Sequence, residues 1–214
     1  MSAGSVAGVP DRRIVLATRN EAKLAELRVI LADTLAHLNL DLVAVSDFPD
    51  VRDVVETGVT FEQNARLKAI TVADATGLPA LADDSGLAVD VLGGAPGVFS
   101  ARWSGRHGDD RANLDLLLSQ LADVPEEHRG AAFVCAACLA LPGGFAMVRE
   151  ARFEGTLTYA PRGAGGFGYD PILQVARDGR TSAELTPAEK NAISHRGMAF
   201  RALAADLRAL IAPA

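Results

Sequence analysis

The chain is short of cysteine, of aromatic residues and of positive charge, and its longest uncharged segment is broken near the middle. Two cysteines in 214 residues exclude a disulfide scaffold and a four-thiolate metal site. Cys135 and Cys138 stand three apart, which on a strand puts them on opposite faces, and no helix start follows to activate a thiol. They read as small core residues in a reducing compartment. Lys and Arg number 21 against 27 Asp and Glu, a formal charge of −6, so the basic surface that polymeric nucleic acid or an anionic membrane requires is missing. Any anionic ligand must meet cations gathered locally. Segment 131–148 is interrupted by Pro142-Gly143-Gly144, and its longer arm of about eleven residues falls well below the roughly 20 of a membrane-spanning helix. A β-hairpin fits it better. The opening ten residues have neither a basic n-region nor a long apolar run; residues 1–12 are expected to form a flexible extension rather than a signal peptide, and the protein to be cytoplasmic.

What is present is an alternation of strand and helix signals with 49% hydrophobic residues, enough for one large domain or two lobes over 13–214. Residues 13–17 read as a strand and 21–35 as a helix with Leu24, Leu27, Leu31 and Leu35 on one face. A second strand is expected over 41–45. Thr60-Phe61-Glu62-Gln63 has the spacing of a capping box and opens a helix that ends at Gly77, with Pro79 beyond. Strands are expected over 78–81, leading into Asp83, and over 87–91. A helix over 109–121 turns Leu114, Leu117, Leu118 and Leu121 inward, the hairpin follows, and 172–175 adds a strand. Thr186-Pro187-Ala188-Glu189 is another capping box, and Ser194 caps a last helix striped by Phe200, Leu203, Leu207 and Leu210. The fold class is α/β with a mixed sheet.

Chemistry-bearing residues gather where these elements meet. In Ala82-Asp83-Asp84-Ser85-Gly86-Leu87, two adjacent acids follow an apolar run, where open α/β sheets collect ligands. Neighbouring strand side chains point oppositely, so unless the strand has broken, one acid binds or catalyses while the other supports it. The same residues also suit a solvated turn. Leu16-Ala17-Thr18-Arg19-Asn20-Glu21-Ala22-Lys23 runs from strand into helix, offering free backbone N–H groups, the Thr18 hydroxyl and Lys23 to an anion, or simply a capped helix start. Lys68 sits mid-helix between Leu67 and Ala69, and Glu56 is a loop carboxylate able to reach the same metal as Asp84. Gly163-Ala164-Gly165-Gly166-Phe167-Gly168-Tyr169-Asp170-Pro171 could present two aromatics and an acid to a nucleobase, or pack those rings inward. Lys190, His195 and Arg196 lie at a junction of helices, where cations oppose the macrodipole unless an anion or a carbonyl compensates.

Together these segments resemble the inosine triphosphate pyrophosphatase family. The resemblance is carried by Thr18-Arg19-Asn20-Glu21-Ala22-Lys23, by Glu56-Thr57-Gly58-Val59-Thr60-Phe61-Glu62-Gln63-Asn64-Ala65 on to Lys68, and by the Asp83-Asp84 segment. It continues through Gly94-Ala95-Pro96-Gly97-Val98-Phe99-Ser100-Ala101-Arg102, Gly166-Phe167-Gly168-Tyr169-Asp170-Pro171 and Lys190-Asn191-Ala192-Ile193-Ser194-His195-Arg196-Gly197. It implies two lobes around a long central mixed sheet flanked by helices, an active-site cleft between them, a homodimer, Mg2+ dependence, and cleavage of inosine, deoxyinosine and xanthosine triphosphates to the monophosphate and pyrophosphate. Carried over, Thr18, Arg19, Asn20, Glu21, Ala22, Lys23 and Lys68 hold the triphosphate, and Glu56 and Asp84 bind Mg2+. Asp84 accepts the proton with Asp83 in support, and Ser85 touches substrate. Phe167 stacks on the base beside Gly168, Tyr169 and Asp170, and Lys190, His195 and Arg196 contact the base and adjoining groups. Arg19 and Trp103 depart from the family pattern, and Arg19 adds a cation toward the triphosphate. A related pyrophosphatase of modified pyrimidine nucleotides and a non-catalytic nucleotide sensor are the alternatives.

Overall fold

A computed structural model describes residues 11–175 and 179–211; residues 1–10, where most of the expected extension falls, lie outside it. Strand β1 (Arg13–Leu16) leads into helix α1 (Glu21–Leu38), and β2 (Asp41–Ala44) returns parallel to β1. Helix α2 (Phe61–Thr76) precedes the ten-residue β3 (Ala80–Val89), and α3 (Asp110–Gln120) precedes the hairpin of β4 (Gly130–Ala140) and β5 (Ala146–Leu157). A short β6 (Leu173–Gln174), α4 (Pro187–Ile193) and α5 (His195–Ile211) complete the chain. The sheet order is β2-β1-β3-β4-β5-β6, parallel on the β1 side and antiparallel from β3 onward. The expected mixed α/β sheet and hairpin are both present.

One expectation fails instructively. The two strands anticipated on either side of Asp83-Asp84-Ser85-Gly86 are a single strand, paired with β4 from Ala80–Ala140 to Val89–Ala131, and Asp90–Leu92 is a 3-10 turn. Gly86 is not a turn glycine. A Cβ there would lie 2.4 Å from Ser100 Oγ and 2.5 Å from Gly97 O, so it admits the close approach of another segment.

Among the described residues, three apolar clusters define the body. On one sheet face Ala65, Ala69 and Val72 of α2 pack on Val15, Ala82, Ala136 and Cys138; on the other, Leu27 and Leu31 of α1 with Phe200, Leu203 and Leu207 of α5 cover Ile14, Leu16, Leu81 and Cys135. The two cysteines therefore face opposite ways, as strand spacing requires, and burial pushes both thiols up to about 12. The far ends of β3, β4 and β5 leave these helices and join Leu114, Leu117, Leu121, Tyr169 and Ile172 in the core of a second lobe. There the buried Arg129 donates to the carbonyls of Leu121 (2.6 Å), Leu157 (2.8 Å) and Thr158 (3.0 Å), closing the C-terminal end of α3.

The caps are partly as expected. Thr186 and Glu189 form the full reciprocal box with Pro187 at the first helical position, and Ser194 Oγ accepts from Gly197 N–H to cap α5. At α2, Thr60 accepts from Gln63 N–H, but the Gln63 side chain reaches the Val59 N–H instead of closing the box on Thr60. The Leu210 side chain lies outside the described residues. Among the described residues no helix is long and apolar enough to cross a membrane.

Candidate active site

A cleft of about 800 Å³ opens between the lobes, and all the anticipated site residues line it except Glu21, on the exposed first turn of α1, and Asp83. Because β3 is unbroken, Asp83 and Asp84 project from opposite faces, and each meets its own cations.

Asp84 sits above α2, where Lys68 Nζ lies 3.3 Å from its Oδ1 and Asn64 Nδ2 donates to Oδ2 at 3.0 Å. The same ammonium donates to Glu56 Oε1 at 2.8 Å. Burial raises the Asp84 pKa; Lys68 works against this, and Glu56 adds to it. For Lys68, burial disfavours the charge, but Asp84, Asp83 and Glu56 outweigh it and the amine is held protonated. Among the described residues no three His, Cys, Asp or Glu side chains converge. Two carboxylates sharing a single ammonium still carry a net negative charge, and one or two carboxylates together with substrate phosphates is the usual way of holding Mg2+. Glu56 and Asp84 therefore fit the ion.

Asp83 is buried on the other face. It accepts from Ser85 Oγ at 2.7 Å and Lys23 Nζ at 3.0 Å, with Arg196 Nε at 3.4 Å. Burial pushes its pKa up, yet Lys23, Arg196 and Lys68 overcome that and hold the carboxyl far below the usual range. The second partner of Arg196 is Glu26, which also lies 3.8 Å from Lys190 Nζ. Carboxylates thus compensate the cations that oppose the α5 dipole. His195 takes a different solution: buried, stacked on Phe133 at 5.1 Å and close to Arg196 and Lys190, its imidazole is held neutral.

Also lining the cleft, Phe167 is 37% exposed, with Lys190 Nζ 5.4 Å and the Arg196 guanidinium 5.8 Å from its ring centre. It is the available stacking face. Two anticipated neighbours play other parts. Tyr169 is buried and donates its hydroxyl to Ser100 O at 2.9 Å, so its ring belongs to the second-lobe core. Asp170 accepts from Lys190 Nζ (2.6 Å), Phe167 N–H (2.8 Å) and Ser182 Oγ (2.9 Å), so it shapes the loop rather than offering a free carboxylate. Gly166 has φ +73°, and a Cβ there would sit 2.0 Å from Asp170 Oδ2; no other residue fits.

In the β1–α1 loop, Asn20 Oδ1 accepts from Lys23 N–H and the Thr18 hydroxyl oxygen accepts from Asn20 N–H. Arg19, expected as an extra phosphate cation, is paired with Asp53 and donates to Val51 O at 2.8 Å, so its charge is locally answered. Trp103 donates to Gln120 Oε1 and does not line the cleft.

A sequence profile of the Ham1 family matches residues 14–206. The chain belongs to the Ham1 family. A relative from Streptomyces coelicolor named dITP/XTP pyrophosphatase is 65% identical over 199 residues, covering 93% of this chain and 98% of the relative. The solved structure of a HAM1 protein from Coxiella burnetii matches with TM-score 0.83 at 43% identity, covering 91% of this chain and 98% of that one. A structure from Mycobacterium abscessus titled nucleoside-triphosphatase / dITP/XTP pyrophosphatase matches with TM-score 0.74 at 54% identity, over 89% and 97% of the two chains. The family resemblance read from the six segments is borne out.

Sequence reasoning missed four residues of this Ham1 site: Glu26, Asn64, Asp110, which accepts from Gly168 N–H at 2.8 Å, and Ser182. Two were within reach. Glu26 follows Lys23 by three and Asn64 precedes Lys68 by four, spacings that share a helix face.

Proposed function

We propose that this protein is a Mg2+-dependent pyrophosphatase of non-standard purine nucleoside triphosphates (ITP, dITP and XTP) that yields the monophosphate and pyrophosphate and clears such nucleotides from the pool. The carrying observation is that Glu56 and Asp84 converge on Lys68 in a cleft that the half-exposed Phe167 ring also lines. The relatives' name, dITP/XTP pyrophosphatase, supports the same class of hydrolase.

A nucleoside triphosphate carries roughly four negative charges, so local cations must offset them in this acidic chain. Backbone N–H groups at the start of α1, the Thr18 hydroxyl, Lys23 and Lys68 bind the phosphates. Glu56 and Asp84 would hold Mg2+, which when bound neutralises phosphate charge and acidifies water. Asp84 takes the proton of the water attacking the α-phosphorus; the bond to the β-phosphate breaks, pyrophosphate leaves, and Asp84 returns the proton to solvent. Lys68 steadies charge on the departing group. Hypoxanthine and xanthine offer a C6 carbonyl where adenine has an amino group, so donors from Arg196, a neutral His195 or the backbone favour the former and meet a donor in the latter. The two lobes act as one catalytic domain, and we propose a cytoplasmic homodimer.

Pyrophosphate release from inosine, xanthosine, guanosine and adenosine triphosphates, and beside them from modified pyrimidine nucleoside triphosphates, with and without Mg2+, tests this reading. Metal-dependent turnover confined to the first two is expected. Tight binding without turnover on any of the four would establish a sensor instead, and turnover of modified pyrimidine nucleotides alone would establish the pyrimidine alternative. Base–aromatic stacking is worth about 1–3 kcal/mol, so Phe167→Ala should raise KM for inosine triphosphate by roughly fivefold or more with a smaller change in kcat. An unchanged KM in steady-state assays would remove Phe167 from base binding.

A further inference from the structure

Asn64 is 1% exposed and bridges two segments of chain. Its Nδ2 donates to Asp84 Oδ2 at 3.0 Å, and its Oδ1 accepts from Gly58 N–H at 2.8 Å. A carboxylate demands the amide nitrogen and an N–H demands the amide oxygen, so both partners fix the same orientation of the side chain.

The Gly58 contact matters because residues 51–58 contain neither helix nor strand, and Glu56 stands within them. Side chains hold this loop at both ends. Arg19 takes Val51 O and the Asp53 carboxylate at the leading end; Asn64 takes Gly58 N–H, and Gln63 takes Val59 N–H at 2.8 Å, at the trailing end. A Cβ on residue 58 would fall 2.6 Å from Asn64 Oδ1 and 2.7 Å from Gln63 Cβ, so only glycine lets the loop seat this closely.

We propose that Asn64 is the positioning residue that sets the spacing between Asp84 and Glu56: one amide holds the Asp84 carboxylate with its nitrogen and the Glu56 loop with its oxygen. The inference rests on reading those two carboxylates as the divalent-cation pair. Losing a group that orients metal-binding carboxylates commonly costs 10–100-fold in metal affinity or activity. Asn64→Ala releases both carboxylates at once. Gly58→Ala leaves Asn64 and Asp84 chemically intact but lifts the loop from the amide, and should reproduce the effect.

The test is Mn2+ binding to the full-length protein, alone and with a non-hydrolysable inosine triphosphate analogue, followed by electron paramagnetic resonance, for the wild type, Asn64→Ala, Gly58→Ala and Glu56→Gln, with folding checked by circular dichroism. Mn2+ affinity should fall at least about tenfold in Asn64→Ala and Gly58→Ala, as in Glu56→Gln. The Mg2+ concentration needed for half-maximal turnover should rise more than kcat falls at saturating Mg2+, and the Gly58 amide should lose hydrogen-exchange protection in Asn64→Ala. If Asn64→Ala fails to fold, Gly58→Ala carries the test. Mn2+ affinity within twofold of wild type in either folded variant overturns the positioning role and leaves the proposed function standing. Absence of Mn2+ binding by the wild type both alone and with a non-hydrolysable inosine triphosphate analogue overturns the metal reading itself, and this inference with it.

Discussion

Asp84→Asn should lower kcat by about a hundredfold or more while nucleotide affinity changes by less than about threefold. The asymmetry follows from where the carboxylate acts. In the proposed reading, phosphates and base are held mainly by the α1 N-terminus, Lys23, Lys68 and Phe167, none of which the substitution removes. Asparagine has the same shape and cannot accept the proton of the attacking water. The Asn64 amide keeps a partner because the new side chain can present its carbonyl oxygen to Nδ2. Single-turnover rates beside equilibrium binding of inosine triphosphate separate the two effects. Near-normal turnover would remove Asp84 from proton transfer, and a parallel loss of affinity would recast it as a binding group.

The adjacent acid should fail in another currency. Asp83→Asn removes the anion that answers Lys23 and Arg196 within a buried cluster, and breaking such a pair from one side costs about 3–5 kcal/mol. For a domain of this size about 1 kcal/mol shifts Tm by roughly 2–4 °C, so a fall of roughly 6–20 °C is expected in thermal unfolding at neutral pH. The folded-state pKa of Asp83 is depressed, so its stabilisation is present above the ordinary carboxylate pKa of about 4 and declines as pH falls toward the folded value. The Tm gap between wild type and variant should therefore be full at pH 7 and narrow below about pH 4. Equal Tm values at neutral pH would show that Lys23 and Arg196 do not depend on this carboxylate.

Local pattern carried much of this architecture. The Pro142-Gly143-Gly144 break announced the hairpin, leucine spacing announced α1 and α3, and the opposed faces of Cys135 and Cys138 followed from strand geometry alone. What the sequence hid has long-range causes. Gly86 reads as punctuation until Ser100 and Gly97 are seen pressed against it, and Arg19 reads as free until Asp53, 34 residues on, is found beside it. Tyr169 and Asp170 sit in a glycine-dense loop that looks open, yet both turn inward to partners on other segments. In the site, residue types pointed to cations and acids that the fold brings to one cleft. Which acid each cation meets depends on how α1, α2 and α5 pack on β3, and no local signal records that.

The continuity of β3 has a further consequence. One backbone separates the Asp83 cluster, with Lys23 and Arg196, from the Asp84 cluster, with Lys68 and Glu56, and both acids are buried. Lys68 is held protonated partly by Asp83 behind it, and Lys23 and Lys68 each act on the acid of the opposite face. The potential at Asp84 is therefore set in part by charges held on the opposite side of a partition one strand thick.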